Sequence, residues 1–284
     1  MPVMEKGRII RILILVALIV ISIVLFASGV IFPEQQGETT EPDQLISVTA
    51  AIQERLDTIA GEVEKASSGL SSGINGEEAE KVLDDIFNET PDAVFLYSFS
   101  PDGTVAEVTP DSYNISSLNM SIAGLPDLSG SVVQGPAMTE VVEYGGYYVF
   151  EIVRPVYDED GENIGGVTAV INSFSLLDGI INPEENASGN TFTVMQTDGL
   201  ILYDMDKRQV GANLFTDDIF SSFPNLRNLG VRFTTQSSGY GSYSYYPTGS
   251  SDGSPVKKLA YWDSAGLYGT EWRVIMFKGA LVAG

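Results

Sequence analysis

The chain has 284 residues, a formal net charge of −23, and neither cysteine nor histidine. Without cysteine there is no disulfide framework, thiolate metal site or cysteine nucleophile, and without histidine the commonest general base and transition-metal ligand is missing. The acidic balance also argues against nucleic-acid binding, because surfaces that bind nucleic acid are basic.

An uncharged apolar run begins at Ile12 and ends at Phe32. It reaches the roughly 20 residues that a helix needs to cross a bilayer core. Basic residues precede the run and a polar, acidic stretch follows it, so the positive-inside bias predicts a cytoplasmic N-terminus and an extracytoplasmic body. A cleaved secretory signal is the alternative, although the apolar part of such signals is usually only about 7–15 residues long. We favour a retained, single-pass anchor in the cell membrane, and both interpretations export the body.

A long helix is predicted after the polar stretch 33–42, which we interpret as a flexible stalk. Apolar residues there recur at spacings of four and three, which is the pattern of one helix face. This stripe either packs on its own domain or forms the seam of a homodimer. A Ser/Gly-rich break at 67–76 separates it from a second predicted helix at 77–87. The stripe consists of Leu45, Thr49, Ile52, Leu56, Ile59, Val63, Ala66 and Leu70.

A first hairpin is predicted from the run AVFLYSFS, which starts at Ala93, turns at 101–103 and returns at 104–108. The polar stretch 111–131 follows, and its length is typical of a lid or binding loop. A third strand is predicted within 138–144.

A second hairpin is predicted from the run YYVFEIV at 147–153, which has the β-branched and aromatic composition of a buried strand. We expect the Arg-Pro pair that follows to end free hydrogen bonding at that edge of the strand, and residues 158–161 to make a tight turn. The chain returns in a strand at 164–171, where a pair of glycines indicates a bulge or a close approach of the backbone.

The second half of the chain repeats this order. A short helix at 174–181 is predicted to end at Asn182-Pro183, which we take as the boundary between two lobes. Further strands are predicted at 191–195, 200–203, 231–235, 241–246, 257–262 and 272–277, with a helix at 216–223.

The hairpin at 147–171 resembles the signature of the Cache sensor family, in which an aromatic strand, a Pro-Val-Tyr and Asp-Gly turn and a Gly-Val strand run into a short helix. Residues 190–215 (NTFTVMQTDGLILYDMDKRQVGANLF) and several pieces within 238–276 resemble the second lobe of a double Cache domain. The resemblance covers about 43–278. It implies an α+β fold with a transmembrane helix, a long helix and two PAS-like antiparallel-sheet lobes in tandem. The domains expected are a cytoplasmic tip and anchor at 1–32, a stalk at 33–42, a helical segment at 43–90, a membrane-distal lobe at 91–182 and a membrane-proximal lobe at 183–284.

The resemblance implies a small-molecule pocket in the membrane-distal lobe, which is the usual ligand site of the family. Strand alternation places Tyr148, Phe150 and Arg154 on one face of their strand, and only one face can line a pocket. Ordinary core packing is the alternative for each aromatic residue. The candidate lining residues are Tyr97, Tyr113, Met120, Tyr144, Tyr148, Phe150, Arg154 and Asn172.

The distribution of lysine and arginine along the sequence indicates which class of ligand the pocket would bind. Between Lys81 and Arg154 there is no lysine or arginine, which disfavours an anionic ligand. The amino-acid-binding subset of double Cache domains carries an arginine and a Trp-Tyr pair in the lid region and an aspartate on the last strand. Here the stretch 111–131 has neither arginine nor tryptophan, and the last strand ends at Asn172. A neutral or cationic small molecule is therefore expected.

These observations predict a sensor or binding module and not an enzyme, because no serine motif with a glycine elbow occurs and the Asp-Gly turns lack the ligand spacing of a calcium loop. We expect no cofactor and no metal. The chain stops at Gly284 without an output module, so signalling is expected to need a transmembrane partner or dimerisation through the long helix. A ligand-free surface interaction module is the alternative. Four sequons, at Asn88, Asn114, Asn119 and Asn186, would accept glycans outside the cell.

Overall fold

The structure, a computed structural model, describes residues 42–110, 112, 135–188, 190–246 and 255–282. All of them belong to one compact unit that runs from residue 41 to residue 284. Within these ranges no helix combines the length and the apolar character that a membrane span requires. The expected anchor at 12–32, almost all of the stalk and the expected lid residues 113–131 lie outside the described residues.

The predicted long helix is confirmed, and every residue of its apolar stripe is buried. The stripe packs against strands of both sheets described below, within one hydrophobic cluster. The stripe was expected either to pack within its own domain or to form a homodimer seam, and in the structure it packs within its own chain. The helices are α1 (Asp43–Gly69), α2 (Glu77–Glu89), α3 (Ser173–Ser188) and α4 (Pro224–Thr235), with a 3₁₀ turn at Asp218–Phe220.

The first sheet contains both predicted hairpins. Its strand order is β2-β1-β6-β5-β3, and β4 also pairs with β5, so the predicted third strand is divided into two short pieces. Gly165 and Gly166 press against the backbone and ring of Phe99, which confirms the predicted close approach. The strands are β1 (Ala93–Phe99), β2 (Val105–Thr109), β3 (Ala137–Met138), β4 (Val142–Tyr144), β5 (Tyr147–Tyr157) and β6 (Asn163–Asn172).

The second sheet has five strands in the order β8-β7-β11-β10-β9, which repeats the connectivity of the first sheet apart from the extra strand β4. Both sheets are antiparallel, and they follow one another along the chain. The described fold is therefore α+β, with two tandem sheet lobes behind a long N-terminal helix. The strands are β7 (Thr191–Gln196), β8 (Ile201–Asp204), β9 (Gly239–Tyr245), β10 (Val256–Leu267) and β11 (Thr270–Val282).

The Arg-Pro pair was expected to end free hydrogen bonding at one edge of β5, and the strand itself continues through Pro155 to Tyr157. On its outer side β5 pairs with β3 only at Ile152 and Val153. Pro155 lies past that pairing, at a sheet edge where a missing N–H removes no ladder hydrogen bond. Its carbonyl instead accepts a hydrogen bond from the Ser67 hydroxyl at 2.7 Å.

The prediction that α3 ends at Asn182-Pro183 was also wrong, because Pro183 lies inside the helix. The half of α3 that follows the proline is held by the second sheet. There the buried Glu185 carboxylate accepts hydrogen bonds from the backbone N–H of Phe192 at 2.6 Å and from the Tyr203 hydroxyl at 3.0 Å. Burial raises the pKa of Glu185, and these two bonds oppose that shift.

Residues 231–235 were predicted as a strand from their β-branched and aromatic composition, but they form the last part of α4. Pro224 begins that helix, where its fixed φ and missing N–H are tolerated. Leu229 and Phe233, four residues apart, bury one helix face against the second sheet. The predicted helix at 216–223 is reduced to the 3₁₀ turn.

Each sheet buries its two faces in different clusters. The faces toward α1 share one core, in which the Phe150 ring meets the Trp272 ring edge-on at 4.9 Å between centroids. The faces away from α1 each have a cluster of their own. We call these the first outer face and the second outer face.

Candidate functional site

The first outer face is built from alternate residues of β1, β5 and β6 together with residues of β2, because successive side chains of a strand point to opposite sides. Its aromatic members adjoin one another, with Tyr97 at 5.9 Å from both Phe95 and Phe99 between ring centroids. Tyr144 of β4 packs on the same cluster, 5.8 Å from Phe95. The buried members are Phe95, Tyr97, Phe99, Val105, Val108, Val149, Val153 and Val170.

Glu151 is a charged residue within this apolar face, between Val149 and Val153 on β5, and its exposed fraction is 0%. One carboxylate oxygen, Oε1, accepts a hydrogen bond from the Tyr97 hydroxyl at 3.1 Å. The other, Oε2, is buried and has no hydrogen-bond partner among the described residues. A buried acceptor left unpaired is unfavourable by about 1–3 kcal/mol, and more when it is charged.

This buried environment changes the pKa of Glu151. Burial raises its pKa from 4.5 to about 7, and the hydrogen bond from Tyr97 opposes the shift. The pKa of Tyr97 is raised in turn, first by burial and then by the nearby Glu151 charge, so the hydroxyl keeps its proton and remains a donor. Near neutral pH the carboxyl group therefore changes easily between its charged and neutral forms.

The structure divides the predicted site residues between the two faces of the first sheet. Tyr97 and Tyr144 lie on the first outer face. Tyr148, Phe150 and Arg154 lie on the face toward α1, so they do not line the same surface as Tyr97. Tyr113 and Met120 lie outside the described residues.

The residues on the α1 side have packing partners there. Arg154 makes a hydrogen-bonded ion pair with Glu64 of α1 at 3.2 Å and contacts the Tyr268 hydroxyl at the same distance. The Tyr148 hydroxyl lies directly against Gly211, where a Cβ atom would overlap it. Asn172, by contrast, is paired with Val149 and so stands on the side of the first outer face, where its side-chain oxygen accepts a hydrogen bond from the N–H of Ser175 at the start of α3.

Two features of the outer faces were not predicted. Glu151 was not singled out, although it is the only acidic residue within the run YYVFEIV, which is an available sequence signal. The other feature is a cavity of 550 Å³ at the second outer face. Its lining comes from strands and connections spread over residues 191–277, which no local pattern brings together. Among the described residues, no group of three or more acidic side chains is arranged to hold a metal ion.

Comparison with known proteins finds a similarity over part of the chain. Residues 54–173 match the family described as "HK/GC/Chemotaxis protein-like, sensor domain". No curated protein matches the chain.

Several solved structures share the fold. An extracellular ligand binding receptor from Desulfohalobium retbaense is 22% identical with a TM-score of 0.64, and the match covers 86% of this chain and 41% of that receptor. The ligand binding domain of the Pseudomonas aeruginosa amino acid chemoreceptor PctB, in complex with L-Arg, is 18% identical with a TM-score of 0.56, over 83% of this chain and 92% of the other. The periplasmic sensory domain of the Campylobacter jejuni chemoreceptor Tlp1 is 15% identical with a TM-score of 0.54, over 83% and 93%. At these identities the likeness establishes the fold.

Proposed function

We propose that the body of this chain is a sensor domain of the double Cache type and that it binds a small cationic or neutral molecule outside the cytoplasm. The ligand contacts the first outer face, and the run 12–32 anchors the chain in the membrane. The fold likeness to ligand-binding domains of chemoreceptors supports sensing, and the family match supports binding rather than catalysis. A signal would then pass to a membrane partner or through dimerisation along the exposed face of α1.

The observation that carries this proposal is the open acceptor on Glu151. An ammonium or amidinium group that contacted Oε2 would satisfy a buried oxygen and would be paired with a carboxylate in a site of low dielectric. A neutral donor such as an amide N–H would satisfy the same oxygen with a weaker bond. The aromatic rings of Phe95, Tyr97 and Tyr144 would supply apolar and cation–π contacts to the rest of the ligand.

The distribution of charge favours the same ligand class. Arg154 is the only lysine or arginine between residues 82 and 206, and it is engaged with Glu64 on the opposite face of the sheet. The strands of the first sheet contain no lysine or arginine other than Arg154. An anion there would meet the Glu151 carboxylate without a compensating side-chain cation, whereas a cation would find its counterion.

The test is thermal unfolding of the purified full-length chain with a panel of candidate ligands. L-Arg and L-Gln, which occupy the similar structures of PctB, would be included with putrescine and choline. A ligand that binds only the folded state at a hundredfold excess over its Kd adds about 2.7 kcal/mol of stability, or roughly 5–10 °C in Tm. We expect at least one cationic compound to do so.

Glu151→Gln is the matching variant, because it keeps the shape of the side chain and removes the charge. It should abolish the shift given by a cationic compound, whereas Glu159→Gln, in the exposed turn after the same strand, should leave that shift unchanged. If no compound stabilises the folded chain, the alternative of a ligand-free interaction module is favoured. If the shift survives Glu151→Gln, the ligand does not use this carboxylate.

A further inference from the structure

The cavity at the second outer face has the size and lining of a small-molecule site. Its 550 Å³ falls within the roughly 300–1,000 Å³ of most ligand pockets. It lies between the second sheet and α4, with Met195 and Ile275 of the sheet on one side and Phe233 of α4 on the other. Most of its surface is therefore apolar and aromatic.

Lys258 lines this cavity, and its ammonium group is held over two aromatic rings. Its ammonium nitrogen lies 5.8 Å from the centre of the Tyr245 ring and 5.7 Å from that of Phe277. It makes no ion pair and no hydrogen bond with any described residue. No described acceptor is hydrogen-bonded to this half-buried ammonium group, so it can still donate to a ligand.

Tyr243 supplies a second free donor beside Lys258. The two residues are paired across β9 and β10, so their side chains stand on the same face of the sheet. The Tyr243 hydroxyl has no hydrogen-bond partner among the described residues. Burial raises the pKa of this hydroxyl, so it stays protonated and able to donate.

The acidic groups of the cavity are, in contrast, already engaged. The Asp204 carboxylate accepts a hydrogen bond from the Thr193 hydroxyl at 2.6 Å and one from the N–H of Asp206 at 2.8 Å. Burial raises the pKa of Asp204, and its two hydrogen bonds and the nearby charge of Lys258 oppose that shift. Asp206 is paired with Arg208 at 2.6 Å. The acidic side chains of the cavity therefore already have hydrogen-bond partners, whereas the donors Lys258 and Tyr243 have none among the described residues.

We propose that this cavity is a second binding site, and that it takes a small organic acid with an aromatic or branched apolar body. The carboxylate accepts hydrogen bonds from Lys258 and Tyr243, and the apolar body packs against Phe220, Phe233 and Ile275. This site is separate from Glu151, since it lies on the other sheet, and it does not depend on the function proposed above.

Three probes with one body and different head groups test the assignment. 3-Phenylpropionate, 3-phenylpropanol and 3-phenylpropylamine would be titrated into the full-length chain and followed by calorimetry. We expect the acid to bind about tenfold or more tighter than the alcohol, because the charged pair with Lys258 adds a hydrogen bond to an ion. The amine should bind more weakly than either.

Lys258→Gln should remove the preference for the acid over the alcohol, and Lys258→Met repeats the test with the aliphatic stem retained. Lys278→Gln is the matched control, because Lys278 also lies over a ring, that of Tyr261 at 5.3 Å, on the face of the same sheet toward α1. The control should keep the preference, as should Glu151→Gln. Circular dichroism would establish that each variant is folded.

Three outcomes would overturn the proposal. The first is that folded wild-type chain binds none of the probes at millimolar concentration. The second is that the acid has no advantage over the alcohol, or loses none of it in both Lys258 variants. The third is that L-phenylalanine binds tighter than 3-phenylpropionate and loses affinity in Asp204→Asn, which would mean that Asp204 holds an ammonium group.

Discussion

At the scale of single residues, the described chain departs from ordinary strand chemistry at a few positions. A carboxylate at Glu151 interrupts an otherwise apolar face, and its pairing with Tyr97 leaves one oxygen without a partner. Stability alone does not explain such a residue, since an apolar side chain of the same size would avoid the desolvation. Binding of the proposed ligand would explain why a carboxylate occupies this position.

Glu151 makes the stability of the chain depend on pH. Its pKa is about 7 in the folded state against 4.5 in the absence of burial, so between these values the folded state holds a proton that the unfolded state has lost. The contribution of Glu151 to stability therefore falls as pH rises from 4.5 to 7 and stays low above that. The total change is about 3 kcal/mol at 1.36 kcal/mol per unit.

The measurement is urea unfolding of the wild type and of Glu151→Gln at several pH values. The wild type should lose about 3 kcal/mol relative to the variant between pH 4.5 and pH 8. Other buried acids, Glu185 and Asp204 among them, titrate in both proteins and cancel in the difference. A constant difference across this range would contradict the burial of the charged carboxylate.

Gly165 is a second position where the residue type is dictated by its surroundings. Its φ is +146°, and a Cβ atom there would lie 2.1 Å from the carbonyl oxygen of Phe99. Gly165→Ala should destabilise the chain by roughly 2–4 kcal/mol, because the backbone of β1 or β6 must move. Gly161→Ala, at φ +82° in an open turn, should cost only about 1–2 kcal/mol from the backbone alone. Equal losses in the two variants, measured by urea unfolding, would contradict the steric explanation.

At the scale of secondary-structure elements, α1 packs against both sheets and completes the core that they share. Its stripe is an intrachain core, whereas its other face carries charged side chains such as Lys65 and Glu62. Burying a Leu or Ile side chain contributes about 1.5–3 kcal/mol, so the stripe as a whole is a major part of the folding free energy. A dimer that used α1 would have to form through the polar face.

Substitutions of two isoleucines of α1 distinguish a role in the intrachain core from a role in a dimer contact. Ile52 is fully buried in the shared core, whereas Ile46 is 47% exposed. Ile52→Ala should lower the free energy of unfolding by about 2–5 kcal/mol through lost burial and a cavity. Ile46→Ala should change it by less than about 0.5 kcal/mol in a monomer.

Chemical unfolding with analytical ultracentrifugation would check both variants. A large loss in Ile46→Ala that depends on protein concentration would indicate that the exposed face of α1 is a dimer contact. A small loss in Ile52→Ala would contradict its place in the core.

At the scale of the whole molecule, the two lobes are not independent. The Gln196 side chain of the second lobe accepts a hydrogen bond from the buried N–H of Val141 in the first lobe at 2.6 Å. The Thr270 hydroxyl donates to the Met138 carbonyl at 2.6 Å, and Phe150 meets Trp272 across the shared core. Loss of one lobe would expose apolar surface and unpaired polar groups of the other.

The described body should therefore unfold in one cooperative transition. Both tryptophans, Trp262 and Trp272, lie in the second lobe, so their fluorescence reports on that lobe, whereas circular dichroism reports on the entire chain. The two signals should change at the same denaturant concentration. Separated transitions would mean that the lobes fold independently despite their common core.

Gln196→Ala tests the same prediction by removing a hydrogen bond between the two lobes. It leaves the Val141 N–H buried and unpaired, which should destabilise the body by about 1–3 kcal/mol and affect both signals together. Gln209→Ala, on the partly exposed connection after β8, should have little effect on either.

The amino-acid sequence by itself determined the long helix, the two Asp-Gly hairpins of the first lobe and most strands of the second, because apolar spacing and turn residues are local signals. The same signals failed at Pro183 and at residues 231–235, where a bond to Glu185 and the packing of Leu229 and Phe233 overrode local preference. Only the tertiary structure decided which face of β5 carries Glu151 and Tyr97, and that a cavity forms at the second outer face. Alternation along a strand divides its residues into two sets, but which set meets α1 depends on contacts between segments far apart in the chain.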